Sequence, residues 1–273
     1  MSSHRYNTAA DSTNELRLIN DLDMAREVQQ QLLSKAMRQI PGLDLAAECV
    51  PARELGGDFY DLLPYRDGRL ALALGDVSGK GTAAALLGAL TIGILRAHTV
   101  EHASAPEEVL AVLNDRIREA RLNARFVAML LAVLDSCTWK LTVANAGNPY
   151  PLLLRGGRIE EIPLSGIPLG LMTGTQYEPV SLDLQLGDIV AFVSDGILEC
   201  QNRKQQAFGA KRLATVLTSL PQEASAKEIS STILCATDAF SGHTSVLHDD
   251  RSLIVLRLIE KSLVDCSAIS IVY

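Results

Sequence analysis

Residues 70–81 read LALALGDVSGKG, and this stretch decides how the chain can fold. Its apolar first half pairs naturally with Phe59–Pro64, because the turn residues Arg66-Asp67-Gly68 lie between them and predict a β-hairpin. Its second half is a glycine-rich loop, and the Ala/Leu-rich residues Thr82–His98 that follow predict a long helix. We therefore expect Asp76 at the end of a strand, in a loop that leads into a helix.

The glycine-rich loop resembles a nucleotide-binding P-loop only superficially. A P-loop has Gly-Lys-Ser/Thr after a glycine and four further residues, whereas Lys80 is followed here by Gly81. An aspartate at the start of the loop would also repel a phosphate unless a metal ion lay between them. The sequence contains no GxGxxG pattern, so a dinucleotide site is disfavoured as well.

The rest of the chain alternates between short apolar segments and pairs of helices. Strands are predicted at Leu43–Val50, Phe126–Leu134, Lys140–Ala146, Pro151–Arg155, Ile189–Val193 and Ser252–Leu258, and further helices at 105–122, 210–218 and 226–240. Most strands follow one another through hairpin-like turns, which indicates antiparallel sheets covered by helices. The predicted fold class is therefore α+β.

Aspartates recur where the predicted strands begin or end. Asp58 precedes one strand, Asp76 and Asp195 each follow one, and the pair Asp249-Asp250 precedes the last. Strand ends of one sheet can meet at one edge, where these carboxylates would repel one another without a cation between them. Hard divalent cations with oxygen ligands fit such a group.

Other readings of these residues remain open at this point. Asp-Gly and Gly-Asp are common turn formers, and we expect Asp67-Gly68 and Gly187-Asp188 to be no more than turns. A side-chain nucleophile is disfavoured because no histidine lies in a recognisable Ser/His/Asp or Cys/His context. A metal-activated water is the better candidate.

Composition and charge limit the partners. The chain has 273 residues and a formal net charge of −7, without the clustered Lys and Arg that nucleic acid requires, so no nucleic-acid partner is expected. The polar N-terminus is not a signal peptide, and the apolar stretch Ala83–Leu95 is shorter than the about 20 residues of a membrane span. We expect no transmembrane segment and a cytoplasmic protein, either alone or as the cytoplasmic part of a larger sensor.

The N-terminal region is predicted to contain a helix. Residues 1–12 are expected to be disordered, and 13–40 to form a helix that Pro41-Gly42 ends. A heptad-like stripe of Leu18, Leu22, Ala25 and Leu32, with Gln29 at the intermediate position, follows a 4-3-7 spacing. Such a stripe fits either a helix packed on its own domain or a dimerising, regulatory helix.

A series of motifs resembles the SpoIIE/RsbU-type branch of the metal-dependent PPM (type 2C) serine/threonine phosphatases. In chain order the motifs are ARELGGDFYD at 52–61, GDVSGKG at 75–81, NAGNP at 145–149, PLG at 168–170, SDGILE at 194–199 and DDRS at 249–252. Their order and spacing match over about residues 25–258, and the combination is specific. The resemblance implies a four-layer αββα sandwich, with a catalytic domain over 41–260 and a C-terminal tail at 261–273.

The resemblance also implies a site and its cofactors, two Mn²⁺ or Mg²⁺ ions. Asp76 would bridge both ions, the Val77 carbonyl and Asp58 would serve the first, and Asp195 and Asp249 would hold the second. Catalytic roles would thus fall to Asp58, Asp76 and Asp195. Asp250 is the alternative to Asp249 if the motif is shifted by one position, and Arg53 is a candidate phosphate ligand.

Two departures from the family pattern stand out. Many relatives have histidine where Asn148 stands, which affects the geometry of a loop rather than a metal ligand. In the last motif Arg251 places a bulky charge, which we expect to reach solvent.

Family members act on phosphoserine or phosphothreonine of a STAS-domain anti-sigma-factor antagonist, in bacterial partner-switching pathways. The resemblance therefore implies a protein-serine/threonine phosphatase with such a substrate. Relatives often carry a helical linker like residues 13–40 behind a sensor, so we expect this helix to form a homodimer and to control activity. The alternative is a non-catalytic PPM-fold module that docks a regulatory partner, which the presence of every core acid disfavours.

Overall fold

The computed structural model describes residues 6–33, 40–65, 67–121, 125–242 and 249–261. Six helices lie within those ranges: α1 (Tyr6–Leu33), α2 (Thr82–Glu101), α3 (Pro106–Glu119), α4 (Asp195–Leu198), α5 (Gly209–Ser219) and α6 (Ala226–Ser241). The strands described there are β1 (Leu43–Val50), β2 (Phe59–Pro64), β3 (Leu70–Val77), β4 (Val127–Asp135), β5 (Lys140–Ala146), β6 (Leu152–Arg155), β7 (Arg158–Glu161), β8 (Val180–Asp183), β9 (Ile189–Val193) and β10 (Arg251–Leu258).

The strands form two antiparallel sheets. We call the sheet with strand order β1-β10-β9-β6-β7 the C-sheet and the sheet with order β2-β3-β4-β5-β8 the N-sheet. Helices α2 and α3 pack on the N-sheet, while α5 and α6 pack on the C-sheet. Between the sheets lies an apolar core to which both contribute, with Leu72 and Leu130 on one side and Phe192 and Ile254 on the other. The predicted α+β sandwich is confirmed.

The stretch LALAL shows why the two sheets pack as they do. Leu70, Leu72 and Leu74 point into the core between the sheets, while Ala71 and Ala73 point into the core beneath the helices. Successive side chains of a strand alternate between its faces. The large residues therefore fill the space between sheets, and the small ones let α2 and α3 approach β3 closely.

Several predicted strands have the bounds that the sequence indicated. The ranges 43–50, 59–64, 140–146 and 189–193 all agree with the structure. β3 continues further than predicted, so Asp76 lies within the strand, opposite Ala128 of β4. The short strands β7 and β8 and the single turn α4 were not predicted.

Helix α1 differs from its prediction at its start. It begins at Tyr6 rather than near Thr13, so it includes residues 6–12 of the segment that was expected to be disordered. The predicted end of this helix at 34–39 and the tail at 262–273 lie outside the described residues. Of the heptad-like stripe, Leu22, Ala25 and Leu32 are half-buried, whereas Leu18 is exposed.

Helix α2 is longer than the apolar stretch identified in the sequence. Within the described ranges, its segment Thr82–Thr99 has the length and composition that could span a bilayer. Core helices of globular domains often share both properties, so this carries little weight. Here Leu87, Ile92 and Leu95 are buried in the core beneath α2, as expected for a helix packed on a sheet.

We expect Leu72→Ala to lower the free energy of unfolding by about 2–5 kcal/mol, because it opens a cavity between the two sheets. Leu72 is 0% exposed. Leu186→Ala is the matched control: Leu186 is 66% exposed, so its truncation should change stability by less than about 0.5 kcal/mol. Urea unfolding followed by circular dichroism measures both, and equal losses would contradict this packing.

Candidate functional site

The predicted acidic residues meet where the ends of the two sheets face each other. Asp58 directly precedes β2 and Asp76 lies near the end of β3, and the antiparallel register Phe59↔Gly75 brings them together. Asp195 opens α4 directly after β9, and β9 pairs with β10, which Asp249 and Asp250 precede. The expectation of one sheet edge was therefore wrong in one respect, because each sheet contributes half of the site.

Asp250 ties the two halves together. Its carboxylate accepts hydrogen bonds from the backbone N–H groups of Ala52 (2.7 Å), Gly57 (2.5 Å) and Asp58 (3.3 Å). The Ser252 hydroxyl on β10 donates to Oδ2 of Asp58. A segment of the C-sheet thus fixes the backbone that leads into the N-sheet, and Asp250 is buried in doing so.

Glycines stand beside these aspartates because the chain segments approach closely. A Cβ at Gly57 would lie 3.0 Å from the Val77 carbonyl oxygen, and one at Gly56 would lie 2.8 Å from Oδ2 of Asp250. At Gly196 the Cβ would lie 1.9 Å from the Asp250 carbonyl oxygen. Val77 is buried, and its role as a main-chain carbonyl ligand stays a prediction.

The electrostatics of the cluster are those of crowded like charges. Burial, and then the charge of Asp76, raise the pKa of Asp58 well above its usual value. Burial and the charge of Asp195 raise the pKa of Asp76 to about 6, although a hydrogen bond with Asp58 opposes the shift. Burial and the charge of Asp249 likewise raise the pKa of Asp195. Each carboxylate thus makes the next one harder to ionise.

Asp249 and Asp250 have different surroundings although they are adjacent. Asp249 is exposed, its charge acts on both Asp76 and Asp195, and its Oδ2 forms a 2.9 Å ion pair with the Lys80 ammonium. Asp250 is occupied by backbone N–H groups instead. The geometry favours Asp249 over Asp250 as a group that could bind a cation.

The donor set fits hard divalent cations. The side chains at the site are carboxylates, and oxygen ligands are the kind that Mg²⁺ and Mn²⁺ prefer. A bound cation would also offset the mutual repulsion of these acids. Within the described part of the chain, no three His, Cys, Asp or Glu side chains are yet arranged so that they could hold one metal ion. We call the place where these carboxylates meet the acidic junction. Asp58, Asp76, Asp195 and Asp249 are the residues that would hold cations here.

The remaining predicted residues lie around this junction. Arg53 is exposed, one residue after Ala52, and the structure leaves its role as a phosphate ligand a prediction. Asn148 is buried, and its Nδ2 donates a hydrogen bond to the Leu74 carbonyl at 2.9 Å, just before Gly75-Asp76. It therefore supports the end of β3.

The expectation that Arg251 reaches solvent was wrong. Its side chain is buried, and Nη1 donates to Thr237 Oγ1 (2.7 Å) and to Asp238 Oδ1 (2.8 Å), both on α6. Burial of an arginine requires such partners. Arg251 thus anchors the start of β10, and with it the Asp249-Asp250 segment, to α6.

The sequence reasoning missed two residues with direct contacts to the site. Lys80 had no assigned role, although it pairs with Asp249. Gln29 was treated as a seam position, yet its amide donates to the Gly56 carbonyl (2.8 Å) and accepts from the Gly56 N–H (3.2 Å). The available signal for Gln29 was a polar residue inside an otherwise apolar stripe.

The fold and the acidic junction together define a PPM (type 2C) phosphatase domain. The family model described as Stage II sporulation protein E (SpoIIE) matches residues 66–259, more than two thirds of the chain. The protein therefore belongs to the SpoIIE family, in the SpoIIE/RsbU branch of the PPM phosphatases.

Individual relatives agree with this assignment. The chain is 29% identical over 244 residues to phosphoserine phosphatase RsbU of Bacillus subtilis, covering 87% of this chain and 70% of RsbU. Among solved structures, the SiaA-PP2C domain of Pseudomonas aeruginosa matches with a TM-score of 0.78 at 20% identity, over 89% of this chain and 98% of that one. RsbX in complex with magnesium matches with a TM-score of 0.61 at 14% identity, over 82% and 98%. These two structures share the fold.

We expect alanine substitutions to separate the two adjacent aspartates. Asp250→Ala should lower the free energy of unfolding by about 2–5 kcal/mol, because it leaves buried backbone N–H groups without an acceptor. Asp249→Ala removes only a half-exposed ion pair, so it should change stability by less than about 1 kcal/mol, yet weaken Mn²⁺ binding by about tenfold or more. Urea unfolding and titration calorimetry measure the two effects. Loss of Mn²⁺ affinity only in a stable Asp250 variant would instead make Asp250 the ligand.

Proposed function

We propose that this protein is a metal-dependent phosphatase that hydrolyses phosphoserine or phosphothreonine on another protein, with two Mn²⁺ or Mg²⁺ ions as cofactors. The observation that carries the proposal is that Asp58, Asp76, Asp195 and Asp249 meet at one junction, where burial and then the charge of a neighbouring acid raise the pKa values of Asp58, Asp76 and Asp195. Bound cations would supply an activated water and charge stabilisation for phosphoryl transfer.

The protein's own residues would divide the work at this junction. Asp76 belongs to the N-sheet half, where it is hydrogen-bonded with Asp58, and burial and then the charges of Asp195 and Asp249 from the other half raise its pKa. That position suits a ligand shared by two ions. Asp58 is buried and held by Ser252, so it is fixed in direction. Asp195 and Asp249 are more accessible and would face the incoming phosphate group.

The substrate we propose is a phosphorylated STAS-domain protein of a partner-switching pathway. The relative RsbU is named a phosphoserine phosphatase, which supports phosphoserine as the residue that is dephosphorylated. Lys80 and Asp249 are 40% and 50% exposed, so the junction opens to solvent and a phosphorylated side chain on a protein surface can approach it. A non-catalytic docking module is the second candidate, but the full acidic set argues against it.

We further propose that α1 controls this activity and forms a homodimer. Two polar contacts dock α1 on the domain: Gln29 with the backbone of Gly56, and Arg96, whose Nη2 donates to the Leu32 carbonyl at 2.8 Å. Arg96 also pairs with the buried Asp61 of β2. Helix α1 therefore contacts the backbone that leads into Asp58.

The outer surface of α1 supports the homodimer. Large apolar side chains on this helix are exposed: Leu16, Leu18, Ile19, Met24 and Val28. Two pairs among them, Leu16 with Ile19 and Met24 with Val28, are neighbours on the helix surface, and exposed apolar side chains can mark interaction sites. A second copy of the same helix would cover these side chains with apolar residues of its own.

We expect Asp76→Asn to reduce phosphate release by roughly 100-fold or more, because it removes the carboxylate charge that we propose serves both cations. The assay is release of phosphate from a phosphorylated STAS-domain protein with Mn²⁺. Asp67→Asn is the matched control, since Asp67 lies in the exposed β2–β3 turn and pairs with Arg69. Equal rates in Asp76→Asn and the native protein would contradict the proposed chemistry, and no release by the native protein from any phosphoprotein would favour the docking module.

We expect Gln29→Ala to change turnover at least several-fold, because the Gly56 N–H and carbonyl lose their partner beside Asp58. Gln30→Ala is the control, because Gln30 is exposed on the same helix. Removal of residues 1–40 should alter both turnover and the oligomeric state measured by light scattering. A truncated chain with unchanged oligomeric state and unchanged turnover would contradict the role of α1.

A further inference from the structure

Lys80 is held over the acidic junction by the shape of its loop. The glycines on either side of it have positive φ angles, 96° at Gly79 and 74° at Gly81, which side chains with a Cβ rarely adopt. The loop between β3 and α2 therefore turns so that Lys80 points back to the site. Its Nζ lies 2.9 Å from Oδ2 of Asp249, which comes from the opposite sheet.

The charge of Lys80 acts on both acids of the C-sheet half. It forms an ion pair with Asp249, and it opposes the rise that burial and the charge of Asp249 cause in the pKa of Asp195. These two acids are the ones expected to hold the second cation. Lys80 thus already supplies, from the protein itself, part of the positive charge that a cation would bring.

We propose that Lys80 is a built-in competitor for the second divalent cation, whose ammonium group must leave Asp249 before that cation can bind there. This inference rests on the proposed metal dependence of the site. Because Oδ1 of Asp249 already accepts the Asp250 N–H at 3.1 Å, the ammonium and an incoming cation would compete for Oδ2. Lys80 therefore lowers the affinity of the site for the cation and sets the concentration at which the enzyme becomes loaded.

The exposure of the ion pair fits an exchangeable contact rather than a structural one. Lys80 is 40% exposed and Asp249 is 50% exposed, and ion pairs in such surroundings contribute little to stability. The ion pair of Arg96 with Asp61 differs, because its carboxylate is buried and its arginine is only 19% exposed. Lysine is also a flexible point charge that can swing away without breaking a bidentate geometry.

The test is the affinity for Mn²⁺, measured by titration calorimetry on the full chain. Lys80→Met should bind Mn²⁺ about fivefold more tightly than the native protein, because a unit positive charge a few ångströms from the cation is removed. Lys80→Arg keeps the charge and should bind as the native protein does. Lys211→Met on α5 is the control for loss of an exposed lysine elsewhere, and should also leave the affinity unchanged.

The possible outcomes separate this inference from the proposed function. Tighter binding in Lys80→Met and in a second neutral variant, Lys80→Gln, supports competition. Unchanged affinity in both would overturn it and leave the metal site in place. Weaker binding in both would also overturn it and make Lys80 a residue that positions Asp249. If neither the native protein nor any variant binds Mn²⁺, the metal site itself fails and the role of Lys80 fails with it.

Discussion

The hydrogen bonds from the backbone of residues 52–58 to the Asp250 carboxylate are the contacts on which the rest of the site depends. Asp250 leads into β10, a central strand of the C-sheet, while Gly57 and Asp58 lead into β2, the edge strand of the N-sheet. Charge-assisted bonds of this kind are about twice as strong as neutral ones. Asp58 and Asp76 belong to the N-sheet side, and Asp195 and Asp249 to the C-sheet side. Because these hydrogen bonds join the two sides, they fix the distance between the two pairs of acids.

The same arrangement has an electrostatic cost that the fold must bear. Asp58 and Asp76 lie close together in a largely buried part of the fold, and burial is the largest cause of the rise in their pKa values. Nothing in the local sequence favours this. What holds them there is the apolar packing on both sides of β3, with Leu72 and Leu74 between the sheets and Ala73 and Val77 beneath the helices. Perturbed carboxylates in such a place are typical of functional sites.

Much of the fold could be predicted because its signals are local. Lys140–Ala146 and Ile189–Val193 are short apolar or alternating runs bounded by turn residues, and their bounds agree with the structure. The strands β7 and β8 have four residues each and mostly polar or half-exposed side chains, so no pattern marked them. The predicted acids do come together, but the sequence could not show that two sheets supply them, since strand order is not a local property.

The error at Arg251 has a similar cause. A charged residue after two aspartates suggests solvent, and only its partners on α6 make burial favourable. Those partners precede it by 13 and 14 residues, and no spacing rule links them in sequence. Residues of this kind are where sequence reasoning fails, because a buried charge is decided by what the rest of the fold brings to it.

Gly56 connects α1 to the acidic junction through a single peptide unit. Its N–H and carbonyl both bond to Gln29, and its missing Cβ leaves room for the Asp250 carboxylate 2.8 Å from where that atom would lie. The other inward residues of the stripe, Leu22, Ala25 and Leu32, have no side-chain group that could replace the glutamine. A shift of α1 that brought Ala25 or Leu32 to Gly56 would therefore leave both polar groups of Gly56 unpaired beside Asp58, at a cost of about 1–3 kcal/mol for each group that stays buried. In this way Gln29 ties the position of the helix along its own axis to the backbone that carries Asp58, although Gln29 and Asp58 are 29 residues apart in sequence.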